Sequence, residues 1–531
     1  KVAVDMVDEG LIAKNEALMR VPAEQLGQLF HPMIDPKAKV KRLGKGLGAS
    51  PGAAVGKIVF TSAAAEEMAE KKEKVILVRM ETSPEDIRGM NVAEGIITAK
   101  GGMTSHAAVV ARAMGKPCVS GVEGLIVNSR RKTCSLGGAK MKELTSLTLD
   151  GTTGEVIEGI VPLTQSKLTG SFTRMVTWAG ETRSLQIRAN ADTPNDALMA
   201  REFGAQGIGL CRTEHMFFGE DRIPIVQRMI LSENEVDRRK ALSELLPLQR
   251  QDFYGIFKAM RGEPVTIRLI DPPLHEFLPK REELMVDIAR MESQGRSSGL
   301  SRKRTLLRRV EQLHEFNPMM GHRGVRLAIS YPEIAEMQAR AIMEAACMLA
   351  KEGVKVVPEI MIPLVGHVGE LRDQKTVIDR VAADTMRSAN IKVRYLVGTM
   401  IELPRSVVTA DDIAALADFF SCGTNDLTQM TFGFSRDDSA KFLSDYQARG
   451  ILTRDPFASI DVEGVGSLVR IAVEKGRGVK SKLKLGVCGE HGGDPASIRF
   501  FETAGLDYVS ASPYRIPTAR LAAAQAVLEG D

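Results

Sequence analysis

The chain has 531 residues, 44% hydrophobic and 26% charged, a profile of a folded globular protein with roughly three to four domains. Its 71 basic residues against 67 acidic ones leave a net charge of +4, so no general polyanion partner is implied and an anionic substrate needs local basic residues. One Trp and six Tyr speak against stacking on nucleic acid, and no apolar run approaches the ~18 residues of a membrane span, so neither partner is expected.

Residues 1–40 carry helical patterning (EGLIAKNEALMRVPAEQLGQLF) without a start of their own, and the first residue is Lys1. They are expected to be the helical remnant of a preceding domain. From residue 41 the texture becomes Gly-rich and then strand-like (LGKGLGASPGAAVGKIVF), opening a compact domain over 41–162. Strands are predicted at 74–78 (KVILV) and 95–98 (GIIT), then one helix, and TLDGTTGEV at 148–156 carries an Asp-Gly turn signal between strand-like flanks. Residues 163–184, with Trp178, read as a linker.

From residue 185 strand and helix patterns alternate to residue 531. Eight strand-like segments follow one another: 185–191, 207–213, 265–271, 356–363, 394–402, 419–427, 484–492 and 507–514. This spacing predicts a (β/α)₈ barrel, with an open doubly wound sheet as its rival. Residues 280–316, rich in Arg, Glu and Ser, read as a helical excursion within the third unit, without chemistry of their own. The six cysteines (Cys118, Cys134, Cys211, Cys347, Cys422, Cys488) form no CxxC pair and are expected to be reduced thiols.

Gly101 and Gly102 permit a tight turn, and Thr104 or Ser105 can cap the helix that follows. His106 then falls in the first helical turn, where free N–H groups and the dipole favour an anion. A neutral imidazole there can attack phosphorus, although a capping loop with an incidental His satisfies the same spacing. Arg212, Arg268, Glu402, Asn425, Asp426 and Cys488 all fall at the C-terminal ends of predicted strands, which is where barrel active sites are built and what favours the barrel. Guanidinium forks bind phosphate oxygens bidentately and stabilise a transferring phosphoryl group. Carboxylates on neighbouring strands, Glu402 and Asp426, suit Mg²⁺, or equally serve as helix caps or ion-pair partners. Cys488 by itself reads as a small buried hydrophobe, with His491 close by in sequence.

GGMTSHAAVVARAMGKPCVSG resembles the swivelling phosphohistidine domain shared by pyruvate, phosphate dikinases, phosphoenolpyruvate synthases and enzyme I of the bacterial sugar phosphotransferase system. The resemblance continues to residue 531 through GIGLCRTEHMF, IRLIDPPLHEFLP, NPMMGHRGVRL, GTMIELPR, FFSCGTNDLTQ and GVCGEHGGDP, in that order. Of the three groups, GGMTSH and IRLIDPPLHEF look like the dikinases.

The resemblance implies a swivelling β/β/α phosphohistidine domain ahead of the (β/α)₈ barrel. It makes His106 the phosphorylated residue and Cys488 the proton donor. Arg212, Arg268, Glu402, Gly423, Thr424, Asn425 and Asp426 become substrate contacts, with Glu402 and Asp426 on Mg²⁺. The implied reaction interconverts phosphoenolpyruvate, AMP and diphosphate with pyruvate, ATP and phosphate. ATP and AMP are expected to act through a nucleotide domain that precedes the swivelling one, so this chain is expected to carry only the phosphoenolpyruvate/pyruvate half. Two other readings stay open, a phosphoenolpyruvate synthase and a phosphocarrier module without turnover. The resemblance also implies a homodimer inside the cell, in the cytoplasm or in an organelle such as a glycosome or chloroplast, although no signal is visible. Thr104 matches a position that is phosphorylated in plant relatives.

Overall fold

The computed structural model describes all residues except 29–31, 36, 84–85, 103–104, 165–169, 220, 437 and 531. Thr104 therefore lies outside the described residues. The chain divides into two compact units, one of residues 1–182, 434–455 and 520–531, the other of residues 183–433 and 456–519.

The first unit is built on an eight-stranded mixed sheet. Four of its strands, Ala53–Val59, Val75–Arg79, Gly95–Thr98 and Cys118–Ser120, run parallel. Ser146–Asp150 and Glu155–Glu158 form the hairpin announced by the Asp-Gly turn. The parallel strands are covered on both faces, which explains their unbroken apolar runs. Ile76, Val78 and Ile97 pack on one side, and Val75, Leu77 and Ile96 on the other. Helix His106–Ala113 lies on the second face, with Ala107, Ala108 and Ala111 as small contact residues that allow close approach.

Three helices, Val2–Asp8, Lys14–Met19 and Ala23–Gln28, precede this sheet. The segment expected as a linker is largely regular. Strand Leu163–Thr164 pairs with Met33–Ile34, and Gly170–Thr182 is a helix. Its Met175, Trp178 and Ala179 are buried at helical spacing. Arg174 forks Asp8 with both contacts at 2.6 Å and lies 5.0 Å from the centre of the Trp178 ring. Residues 165–169 lie outside the described residues.

The second unit is a closed parallel barrel. Its strands are β1 (Gln186–Asn190), β2 (Ile208–Arg212), β3 (Pro264–Arg268), β4 (Val357–Ile362), β5 (Leu396–Ile401), β6 (Phe419–Cys422), β7 (Lys484–Val487) and β8 (Tyr508–Ala511). Neighbours pair in chain order, and β8 closes on β1. Long helices, Glu235–Ala259, Pro332–Lys351 and Val368–Ala389, connect them. The excursion between β3 and β4 is a pair of helices, Arg281–Ser293 and Leu300–Leu313. Residues 434–455, which include helix Ala440–Ala448, group with the first unit, as does the end of helix Ile516–Gly530. The first change of unit, between residues 182 and 183, falls within the segment 163–184 read as a linker.

Charges inside the barrel are tied together. Glu359 on β4 accepts from Arg188 on β1 at 2.9 Å, Thr266 on β3 at 2.7 Å and Lys484 on β7 at 2.6 Å. Burial alone would raise its pKa, but Arg188 and Lys484 hold it below the usual range. Arg188 also lies 4.0 Å from the ring centre of Tyr508 on β8.

Candidate functional site at the barrel mouth

Every barrel residue singled out by sequence lies at a strand's C-terminal end. Arg212 and Arg268 close β2 and β3, Glu402 follows β5, Gly423–Asp426 follow β6, and Cys488 follows β7. His106 belongs to the first unit, at the start of its helix, where Ser105 is the N-cap and accepts from the Ala108 N–H at 3.4 Å. Beneath that cap runs a chain of hydroxyls, Ser105 to Ser120 at 3.2 Å and Ser120 to Thr98 at 3.0 Å. Gly101 has φ +119, and a side chain there would strike Ser105 and Ser120. Gly101 thus serves the loop that leads into the helix starting at His106, whereas nothing stands within 4 Å of a Cβ at Gly102.

In the barrel, acidic neighbours hold both arginines in place. Asp192, just beyond β1, accepts from the Arg212 backbone at 2.7 Å, from its guanidinium at 3.3 Å, and meets His215 Nδ1 at 2.8 Å. Burial opposes the Asp192 charge, yet Arg212 and His215 bring its pKa down to about 2. Arg268, almost fully buried, donates to Glu214 and pairs with Asp271 at 2.9 Å. Asp271 also accepts from Arg323 at 2.6 Å, and Arg323 reaches Asp426 at 3.5 Å. Burial would raise Asp271, but Arg268 and Arg323 keep it below the ordinary carboxylate range.

Asp271→Asn is therefore expected to lower the unfolding free energy at neutral pH by about 3 kcal/mol, read as a lower urea midpoint, since two buried arginines lose a shared anion. The folded pKa lies below the unfolded one, so this stabilisation is present above the unfolded value of ~4 and is lost as pH falls through the folded value. The two proteins should converge in acid. An unchanged midpoint at neutral pH would refute the assignment.

Glu402 differs from these paired carboxylates. Its Oε1 accepts from the Leu364 N–H at 2.7 Å, but its Oε2 is buried without a hydrogen-bond partner. Burial, with Asp426 and Asp271 nearby, pushes its pKa well above the usual value. A Cβ at Gly423 would stand 2.9 Å from that same Oε2, so glycine is required beside it. Asp426 keeps one oxygen toward Gln429 at 3.0 Å and the other toward Arg323. Among the described residues no set of three or more His, Cys, Asp or Glu is placed to hold a metal.

Cys488 is buried against Leu210, Met361, Met400 and Phe419, and burial lifts its pKa to about 11, with Arg268 and Arg212 pulling the other way. The thiol therefore keeps its proton at neutral pH. His491 is fully buried, with Nε2 2.8 Å from the Pro456 carbonyl and Nδ1 2.7 Å from Thr424 Oγ1. A carbonyl only accepts, so Nε2 carries hydrogen and donates to Pro456, while Nδ1 pairs with the Thr424 hydroxyl. His491 is a strut under the β6 loop. Asn425 braces the same loop, its Oδ1 accepting from the Glu490 N–H at 3.1 Å.

Asp192, Glu214, Asp271 and Arg323 were not singled out by sequence, although all but Asp192 lie inside quoted motifs. Their charge was the available signal, and their partners were not.

Residues 166–528 match the family described as PEP-utilising enzyme, PEP-binding domain, and residues 71–154 match its mobile domain. The chain is 57% identical over 531 residues to a pyruvate, phosphate dikinase of Rhizobium meliloti, covering all of this chain and 58% of that protein. It is 53% identical to one of Clostridium symbiosum, covering 99% of this chain and 60% of the relative. It is 54% identical to the chloroplastic pyruvate, phosphate dikinase 1 of Arabidopsis thaliana, of which it spans 54%. The mobile-domain match falls on the sheet that carries His106, and the PEP-binding match on the barrel with the arginines and Glu402. The chain belongs to the PEP-utilising enzymes.

Proposed function

We propose that this chain catalyses the phosphoenolpyruvate/pyruvate half of a pyruvate, phosphate dikinase reaction, with His106 as phosphoryl carrier. The observation that carries this reading is the mouth itself. Two guanidinium groups, each held by acidic partners, end β2 and β3, and Glu402 and Asp426 follow β5 and β6, with one Glu402 oxygen buried without a hydrogen-bond partner. An unpaired carboxylate oxygen beside a second carboxylate fits a hard divalent cation. Glu402 and Asp426 would hold Mg²⁺, which supplies positive charge to the substrate's oxygens when bound.

Arg212 and Arg268 bind the phosphate oxygens of phosphoenolpyruvate and stabilise charge on the group in transfer. The imidazole of His106 attacks phosphorus, the P–N bond forms, and the P–O bond to the enol oxygen breaks with its electron pair left on the enolate. The neutral thiol of Cys488 then gives its proton to the methylene carbon, yielding pyruvate, and regains a proton from water. Gly423, Thr424 and Asn425 shape the loop against the substrate. In the whole protein, phosphohistidine would pass its group to AMP and diphosphate, giving ATP and phosphate, in the part of the relatives that this chain does not span. The mobile domain would carry His106 between the two sites. We place the protein inside the cell as a homodimer, in the cytoplasm or an organelle.

Incubating the chain with Mg²⁺ and phosphoenolpyruvate labelled at phosphorus should give acid-labile label on the protein. No label on folded protein would overturn the reading. Glu402→Gln and Asp426→Asn should each raise the Mg²⁺ concentration needed for labelling, or abolish it. An unchanged Mg²⁺ dependence in both would make the carboxylates structural.

A further inference from the structure

The helical excursion between β3 and β4 holds basic residues that this reaction does not use. Helix Leu300–Leu313 carries Arg302, Lys303, Arg304, Arg308 and Arg309. Lys303 and Arg304 are paired with Asp287 and Glu292 of the preceding helix. Arg302, Arg308 and Arg309 instead line a cleft of about 580 Å³ against helix Ile223–Leu231. Arg228 stands on that opposite wall, ion-paired with Glu244, and among the described residues Glu233 is the one carboxylate lining the cleft. Among the described residues neither Arg302 nor Arg308 has an ion-pair partner. Arg309 gives Nη1 to Gln312 at 3.2 Å, while its Nε is buried without a hydrogen-bond partner.

Unpaired guanidinium groups gathered in one concave space raise each other's energy, and a bound anion relieves it. Leu231, Leu306 and Pro224 add an apolar strip beside them. The same helix satisfies its other two cations with carboxylates, so the unmatched charge is confined to the cleft.

We propose that this cleft binds an organic phosphate of about nucleotide size. The guanidinium forks take phosphate oxygens, and the apolar strip with a flat arginine face takes the uncharged body. The cleft shares no lining residue with the barrel mouth and does not depend on the reaction proposed there.

The test is a fluorescence titration of the chain with trinitrophenyl-ADP, followed by displacement with ADP, inorganic diphosphate or a glutamate-rich peptide. Saturable binding, displaced better by ADP than by diphosphate, is the expected result. R302A/R308A should weaken it by roughly tenfold or more while leaving phosphoryl labelling from phosphoenolpyruvate unchanged. Arg309→Met should weaken it as well, through a change confined to the third arginine. Equal affinity in wild type and R302A/R308A would overturn the proposal, as would absence of saturable binding to wild type. Displacement by the glutamate-rich peptide but not by ADP would also overturn it, giving the cleft to an acidic protein segment.

Discussion

His106→Asn should leave the chain folded and take up no label from phosphoenolpyruvate. The expected loss is complete rather than partial, because the substitution removes the only atom in this scheme that bonds to phosphorus. The position is the first residue of helix His106–Ala113, where backbone N–H groups are free and negative charge is favoured. Asn is well accepted at helix starts, so the cap at Ser105 and the hydroxyl chain to Thr98 should survive. Circular dichroism and phosphoenolpyruvate binding provide the controls. Normal labelling of the variant would move the carrier to another residue and sink the proposed function.

Cys488→Ala should separate the two steps that the barrel is proposed to perform. The thiol has no useful role at phosphorus, where two arginines already face the developing charge. It does have one at carbon, where the enolate needs one proton on a defined face. With its pKa lifted to about 11, Cys488 holds that proton at neutral pH and suits an acid rather than a nucleophile. General acid help of this kind contributes ~10²–10⁴-fold. The variant should lose exchange of pyruvate methyl hydrogens with solvent by that factor, and overall turnover with it. Arg268 and Glu402 keep their own partners at Asp271 and Leu364, so phosphoenolpyruvate binding should persist. Exchange at the wild-type rate would assign the proton to another donor and return Cys488 to its packing role beside Leu210 and Phe419. His491 is a poor substitute, since both of its ring nitrogens are engaged by Thr424 and Pro456.

The fold class and the residues at the barrel mouth were legible in the sequence because strand and helix periods are local. An apolar run ending in Arg212 or Arg268 states at once that a strand is buried and that its C-terminal end is polar. The order of such runs is enough for a parallel α/β fold, since parallel strands need crossover helices, and the polar residues at the strand ends favoured the barrel over a doubly wound sheet. Gly101 and Gly102 likewise announce a turn ahead of a helix start.

Tertiary structure alone decided how those residues are paired. Asp271 and Arg323 are 52 residues apart, and Arg323 and Asp426 are 103 apart, so no periodicity links them. The unpartnered oxygen of Glu402, the engagement of His491 as a strut, and the helix within the expected linker depend on the same long-range closure. So does the unmatched charge of the arginine cleft, since helix Leu300–Leu313 reads as evenly basic until its neighbours show which cations are neutralised. Sequence records which charges exist, whereas burial and the distance to a counter-charge, which set their energies, are fixed only when the chain closes on itself.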